Sequence, residues 1–259
     1  MNAALSAEWT KLRTLPSVAW LLGGIVALTA GSSAGIGAAT HVTSRAGQGG
    51  PDPVKLALTG VDLGQAIVAV LAVLVISEEY DTGMIRTSLT AVPRRHLVLA
   101  AKATTVGLLT LVAAVPAVAA SVLAGRLLLP GAGLGPADGY SLISIADGPT
   151  LRAAAGAVLY LVLIAVLGLG IATAIRDTAV SIGAVLALLY LPTLLVQALG
   201  DPLRRHLEQI APGIAGLAVE NTTDLASQPL TPWAGLGVLA AWATGSLLLA
   251  GLLLHHRDA

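Results

Sequence analysis

Residues 77–102 read S-E-E-Y-D-T-G-M-I-R-T-S-L-T-A-V-P-R-R-H-L-V-L-A-A-K, a compact charged segment set between two long apolar runs. Glu78, Glu79 and Asp81 come first. Met84, Ile85, Ser88, Leu89 and Val92 then share one helical face, while Arg86, Thr87 and Thr90 point elsewhere. Gly83 loosens the end of the preceding helix, and Pro93 stops any later one by Val92. With Arg94 and Arg95 following, acids stand at the N-terminal end of the short helix and bases at its C-terminal end, as the helix dipole favours. The spacing predicts a small amphipathic helix with a charged collar, lying across the ends of two membrane spans.

Outward from this segment the chain turns apolar. Of its 259 residues, 56% are hydrophobic and 11% charged, and the mean hydropathy is +0.85. Soluble domains carry about 25% charged residues, so this balance belongs in a bilayer. The net charge is zero and no basic tract suggests a nucleic-acid partner. Cysteine is absent, which excludes disulfides, thiolate metal sites and thiol nucleophiles.

A helix crosses the hydrocarbon layer with about 20 apolar residues. Charge-free runs at Val18–Ala39, Ala103–Ala124, Ala153–Ile175, Thr178–Leu199 and Pro232–Leu254 meet that length. A sixth, Leu56–Ser77, is interrupted by Asp62 and Gln65. There Asp62-Leu63-Gly64-Gln65 resembles a capping box, which predicts a helix start with Asp62 as the cap. The expected fold is all-α: one transmembrane domain over 1–259, with spans at 18–39, 56–77, 97–124, 153–175, 178–199 and 232–254. The first apolar run is longer than the 7–15 residues of a signal-peptide core, so it reads as a retained span. Gly31 and Gly35, and Gly168 and Gly170, mark expected packing seams; Pro116 and Pro192 mark expected kinks.

An even number of spans puts both termini on one side. Lys11, Arg13, Arg86, Arg94, Arg95, Lys102, Arg176 and Arg257 fall on that side. The longer opposite loops hold Arg45, Lys55, Arg126, Arg152, Arg204 and Arg205. The bias predicts a multi-pass protein of the cell membrane with cytoplasmic termini. Before the first span, Leu5, Trp9 and Leu12 form one helical stripe, so residues 1–17 read as a helix lying in the interface, anchored by Trp9, Lys11 and Arg13. Arg176-Asp177 alone joins the fourth and fifth spans.

The pattern Glu79, Gly83, Ile85, Leu89, Pro93, Arg95 and Lys102 resembles the first cytoplasmic loop of membrane subunits in the type-2 class of ABC exporters. An interfacial elbow helix, here suggested by Glu8–Arg13, and six spans with both ends inside complete the resemblance. It implies that loop 78–96 carries a coupling helix docking on a separate ATP-binding subunit. The docking residues would be Glu79, Asp81, Gly83, Met84, Ile85, Arg86, Leu89, Pro93, Arg94 and Arg95, with Arg176 and Asp177 a second cytoplasmic contact. It also implies a second permease copy or homologue as partner, and an extracellular cap formed by 200–231. ATP and magnesium would sit on the partner subunit.

No cofactor or enzymatic activity is expected on this chain. Thr10, Val54 and Ala101 precede the three lysines, so the phosphate-binding pattern G-x-x-x-x-G-K-[ST] does not occur. His41, His96, His206, His255 and His256 lie in loops or at span ends, and no metal site is expected. A self-contained carrier or channel would need ionisable groups or broken helices near the midplane; a non-transport role, in immunity or signalling, could keep the same loop.

Overall fold

The computed structural model describes residues 16–40, 50–81 and 95–256. Among these all regular secondary structure is helical, and six helices are long and apolar enough to cross a membrane. The long helices are α1 (Pro16–Ala39), α3 (Val61–Asp81), α4 (Arg95–Leu128), α5 (Gly148–Ile175), α6 (Thr178–Ala198) and α9 (Pro232–His256). Short helices α2 (Pro53–Leu58), α7 (Leu203–Ile210) and α8 (Pro212–Leu217), with 3-10 turns including Ala218–Glu220, gather at one end. We call this the cap end. The opposite end holds the start of α1, the end of α9, the α5–α6 turn and the facing ends of α3 and α4. We call it the hairpin end.

The spans run close to the expected bounds, with α4 and α5 longer towards the cap end. Pro116 and Pro192 are accommodated inside continuous helices. Lys102, counted by sequence among the loop cations, instead lies inside α4 and is buried. Helix α4 begins at Arg95, two residues before the expected start of the span.

Asp62 also departs from expectation. Helix α3 starts one residue earlier, at Val61, after a turn made only of Thr59 and Gly60. The carbonyl of Thr59 accepts from the Asp62 N–H (3.2 Å), and that of Gly60 from the Leu63 and Gly64 N–H groups (3.2 and 2.9 Å). The preceding turn thus satisfies the donors that a cap would serve. The Asp62 carboxylate is released for another partner. Gly60 is required here by close approach: a Cβ at this position would run into the Thr29 carbonyl of α1, while its N–H donates to Ser33 Oγ at 3.0 Å.

Helix α5 is the hub, packed against α3, α4, α6 and α9. The two glycine pairs behave differently. A Cβ on Gly168 would meet Ala72 Cβ at 3.3 Å, and one on Gly170 would meet Ser246 Cβ at 2.8 Å, so both lie in seams. Gly31 and Gly35 have nothing within 4 Å. Their expected seam is not used inside the chain, because α1 turns Thr29 and Ser33, not these glycines, towards α3.

Candidate functional site

At the hairpin end, chain reversal dictates the local geometry. Arg176 adopts a left-handed conformation (φ 65°) and closes α5, its N–H donating to the Ala172 carbonyl at 2.9 Å. Asp177 then caps α6, its Oδ1 accepting from the Val180 N–H at 2.8 Å. Two residues end one helix and start the next. The Arg176 guanidinium stacks 5.5 Å from the centre of the Tyr80 ring, whose hydroxyl donates to the Thr173 carbonyl at 3.5 Å. Buried Nε and Nη2 of Arg176 have no hydrogen-bond acceptor among the described residues. Tyr80 stands one residue before the end of α3, so the hairpin lies beside the helix that leads into residues 82–94.

The rest of that surface falls outside the described residues. Gly83, Met84, Ile85, Arg86, Leu89, Pro93 and Arg94 belong to it, as do the anchors Trp9, Lys11 and Arg13. Glu79 and Asp81 lie in the last turn of α3 and Arg95 opens α4, at helix ends whose side chains are likewise outside the description.

The cap end carries a second group of polar residues, most of which sequence reading passed over. A cleft of about 920 Å³ opens between α2, α3, α6 and the 201–230 segment. Its inner wall begins with Asp62, whose Oδ1 accepts from Gln65 Nε2 at 2.9 Å. Buried Gln65 in turn accepts from the Tyr160 hydroxyl, which also reaches the Gly213 carbonyl at 3.5 Å. The Tyr190 hydroxyl donates to the Asp62 carbonyl. Side chains from α3, α5 and α6 are therefore tied into one network that touches α8. Each polar group inside this apolar bundle would cost several kcal/mol if left unpaired.

Glu220 faces the same cleft from the turn after α8 and is only 4% exposed. Arg152 fixes its backbone: Nη1 donates to the Val219 carbonyl at 3.2 Å and Nη2 to the Asn221 carbonyl at 2.6 Å. Asp52 secures the next residues, accepting from the N–H groups of Thr222 and Thr223 and from the Thr222 hydroxyl. Among the described residues no donor reaches Glu220 Oε1, which is buried. Burial lifts the Glu220 carboxyl well above the usual carboxylate range; nearby Asp62 adds to the rise, Lys55 opposes it and Asp52 adds again.

The rim cations are engaged locally. Arg204 Nε contacts Glu208 at 2.9 Å, and Arg205 lies 3.7 Å from Asp201. Among the described residues, no group of three His, Asp or Glu side chains is close enough to hold a metal ion. One sequence signal did mark Glu220: it is the first charged residue after the apolar stretch 210–219. Gln65 was visible as an interruption of an apolar run and as the end of a capping-box pattern, but its pairing with Tyr160, 95 positions away, had no local trace.

Set beside known proteins, the chain matches no family model and no curated sequence.

Proposed function

We propose that the chain is the permease subunit of an ATP-driven exporter of the type-2 ABC class, working with a separate ATP-binding subunit. One observation carries the reading. Helices α3 and α4 are joined, at the end that also holds the α5–α6 hairpin, by the segment whose sequence resembles a coupling loop. In this reading the hairpin end is cytoplasmic, residues 1–17 form the elbow helix, and the cap end faces outward. Closure of the ATP-binding subunits would press on Met84–Val92. Its thrust would pass along α3 and α4, which are among the best-buried spans, into the body of the bundle. Arg176 and Asp177 would form the second contact beside it.

The test is mild-detergent affinity purification of the tagged chain from its native membrane, with mass spectrometry of what accompanies it. A stoichiometric soluble protein bearing a phosphate-binding loop is the expected companion. Glu79→Ala combined with Arg95→Ala should reduce its recovery without affecting membrane insertion. A chain that repeatedly arrives alone overturns the reading. It would favour a self-contained carrier, a role that the Asp62–Gln65–Tyr160 network at a span end could serve.

A further inference from the structure

We propose that the cap-end cleft is a binding site for a primary alkylammonium group, held by the carboxylates of Glu220 and Asp62. The charges motivate this choice. Among the charged residues that line the cleft, Arg204 and Arg205 are occupied by Glu208 and Asp201. Asp62, Glu220 and Lys55 remain. With all three ionised, two negative charges face one positive, so the pocket is one cation short of neutrality.

Hydrogen bonding makes the same demand independently. Glu220 Oε1 is buried and has no donor among the described residues, and a buried acceptor without a donor is costly. A proton or an incoming N–H⁺ group would relieve both deficits. A metal ion fits less well: three carboxylate or imidazole ligands do not converge among the described residues.

Cavity shape points to an organic cation. A volume of about 920 Å³ is far larger than an ion needs and falls in the range of small-molecule sites, roughly 300–1,000 Å³. Ile214, Leu217 and Leu230 supply apolar wall for a short hydrocarbon chain, and Thr59, Thr193 and Gln228 supply neutral polar groups. A proton on Glu220 and an incoming ammonium group would compete for the same buried oxygen.

Radiolabelled n-butylammonium is the probe, with equilibrium dialysis against the full-length chain in detergent. Tetramethylammonium, equally charged but without N–H donors, and magnesium are the competitors. Saturable binding near one per chain is expected. Glu220→Gln should weaken it about tenfold or more, as loss of a charge-assisted hydrogen bond implies. Lys55→Met should strengthen it, because the resident cation is removed; misfolding cannot produce a gain.

Absence of saturable binding to the folded wild-type chain overturns the proposal. So does unchanged affinity in both variants, equal displacement by tetramethylammonium, or stoichiometric displacement by magnesium. The inference stands apart from the exporter reading. A chain that brings an ATP-binding protein but ignores butylammonium overturns only this site. A chain that binds the probe but arrives alone overturns only the exporter.

Discussion

Two sets of three spans divide this molecule. The windows of α3, α4 and α5 have 56%, 56% and 61% of their residues buried, whereas those of α1, α6 and α9 have 22%, 17% and 22%. All six are apolar enough to cross a membrane, so hydropathy does not separate them. In lipid, an apolar side chain gains little by leaving acyl chains for protein, and packing is decided by small residues and polar contacts. The inner helices hold the Gly168–Gly170 seam and the polar ladder through Gln65 and Tyr160. The outer ones present Leu28, Leu194, Leu195, Leu248 and Leu252 to their surroundings.

The sharpest way to break this contrast is to fill the inner seam. Gly170→Leu would drive a side chain into Ser246 of α9. A loss of about 1–3 kcal/mol or more is expected from overpacking, read as a large fall in thermal midpoint in detergent. A midpoint unchanged from wild type would show that α5 and α9 separate freely.

Removing the Tyr160 hydroxyl comes next. Tyr160→Phe leaves the buried Gln65 oxygen without its donor and should cost about 1–3 kcal/mol. Gln65→Leu in the same background should recover part of that loss, because both polar partners are then gone. If the double variant is no better than Tyr160→Phe alone, the pair is not an isolated unit.

A third effect depends on pH. Glu220 binds its proton more tightly folded than unfolded, where the ordinary value is 4.5. The stability it confers is complete below that value and is lost as pH rises through the raised folded value. Glu220→Gln should therefore gain on the wild type as pH rises from 5 to 8, by about 2–4 °C in thermal midpoint for each kcal/mol involved. Parallel curves for the two proteins would show that Glu220 does not titrate differently on folding.

The smallest effect tests the outer helices. Gly31→Leu and Gly35→Leu meet open space, and within the isolated chain each should change stability by less than about 0.5 kcal/mol. A much larger fall, or a change in apparent mass on size-exclusion chromatography, would mean that this face of α1 packs against another molecule.

The sequence by itself determined the number of long apolar helices, their approximate limits and the two-residue reversal at Arg176-Asp177. Each follows from local quantities: run length, charge placement, and an acid able to cap the helix after it. It also placed a charged stretch at the junction of the second and third spans, because charge resists insertion, although Lys102 proves to lie inside α4. Tertiary structure alone decided which glycines lie in seams, since Gly31 and Gly170 sit in similar apolar runs and differ only in what lies opposite. It alone freed Asp62 from capping, through the turn at Thr59-Gly60. It also brought the Asp62–Gln65 pair, Tyr160, Tyr190 and Glu220 together from four distant positions. No local pattern encodes that gathering: Tyr160 and Tyr190 reach Gln65 and Asp62 from other helices, and which partner was available depended on how the helices packed.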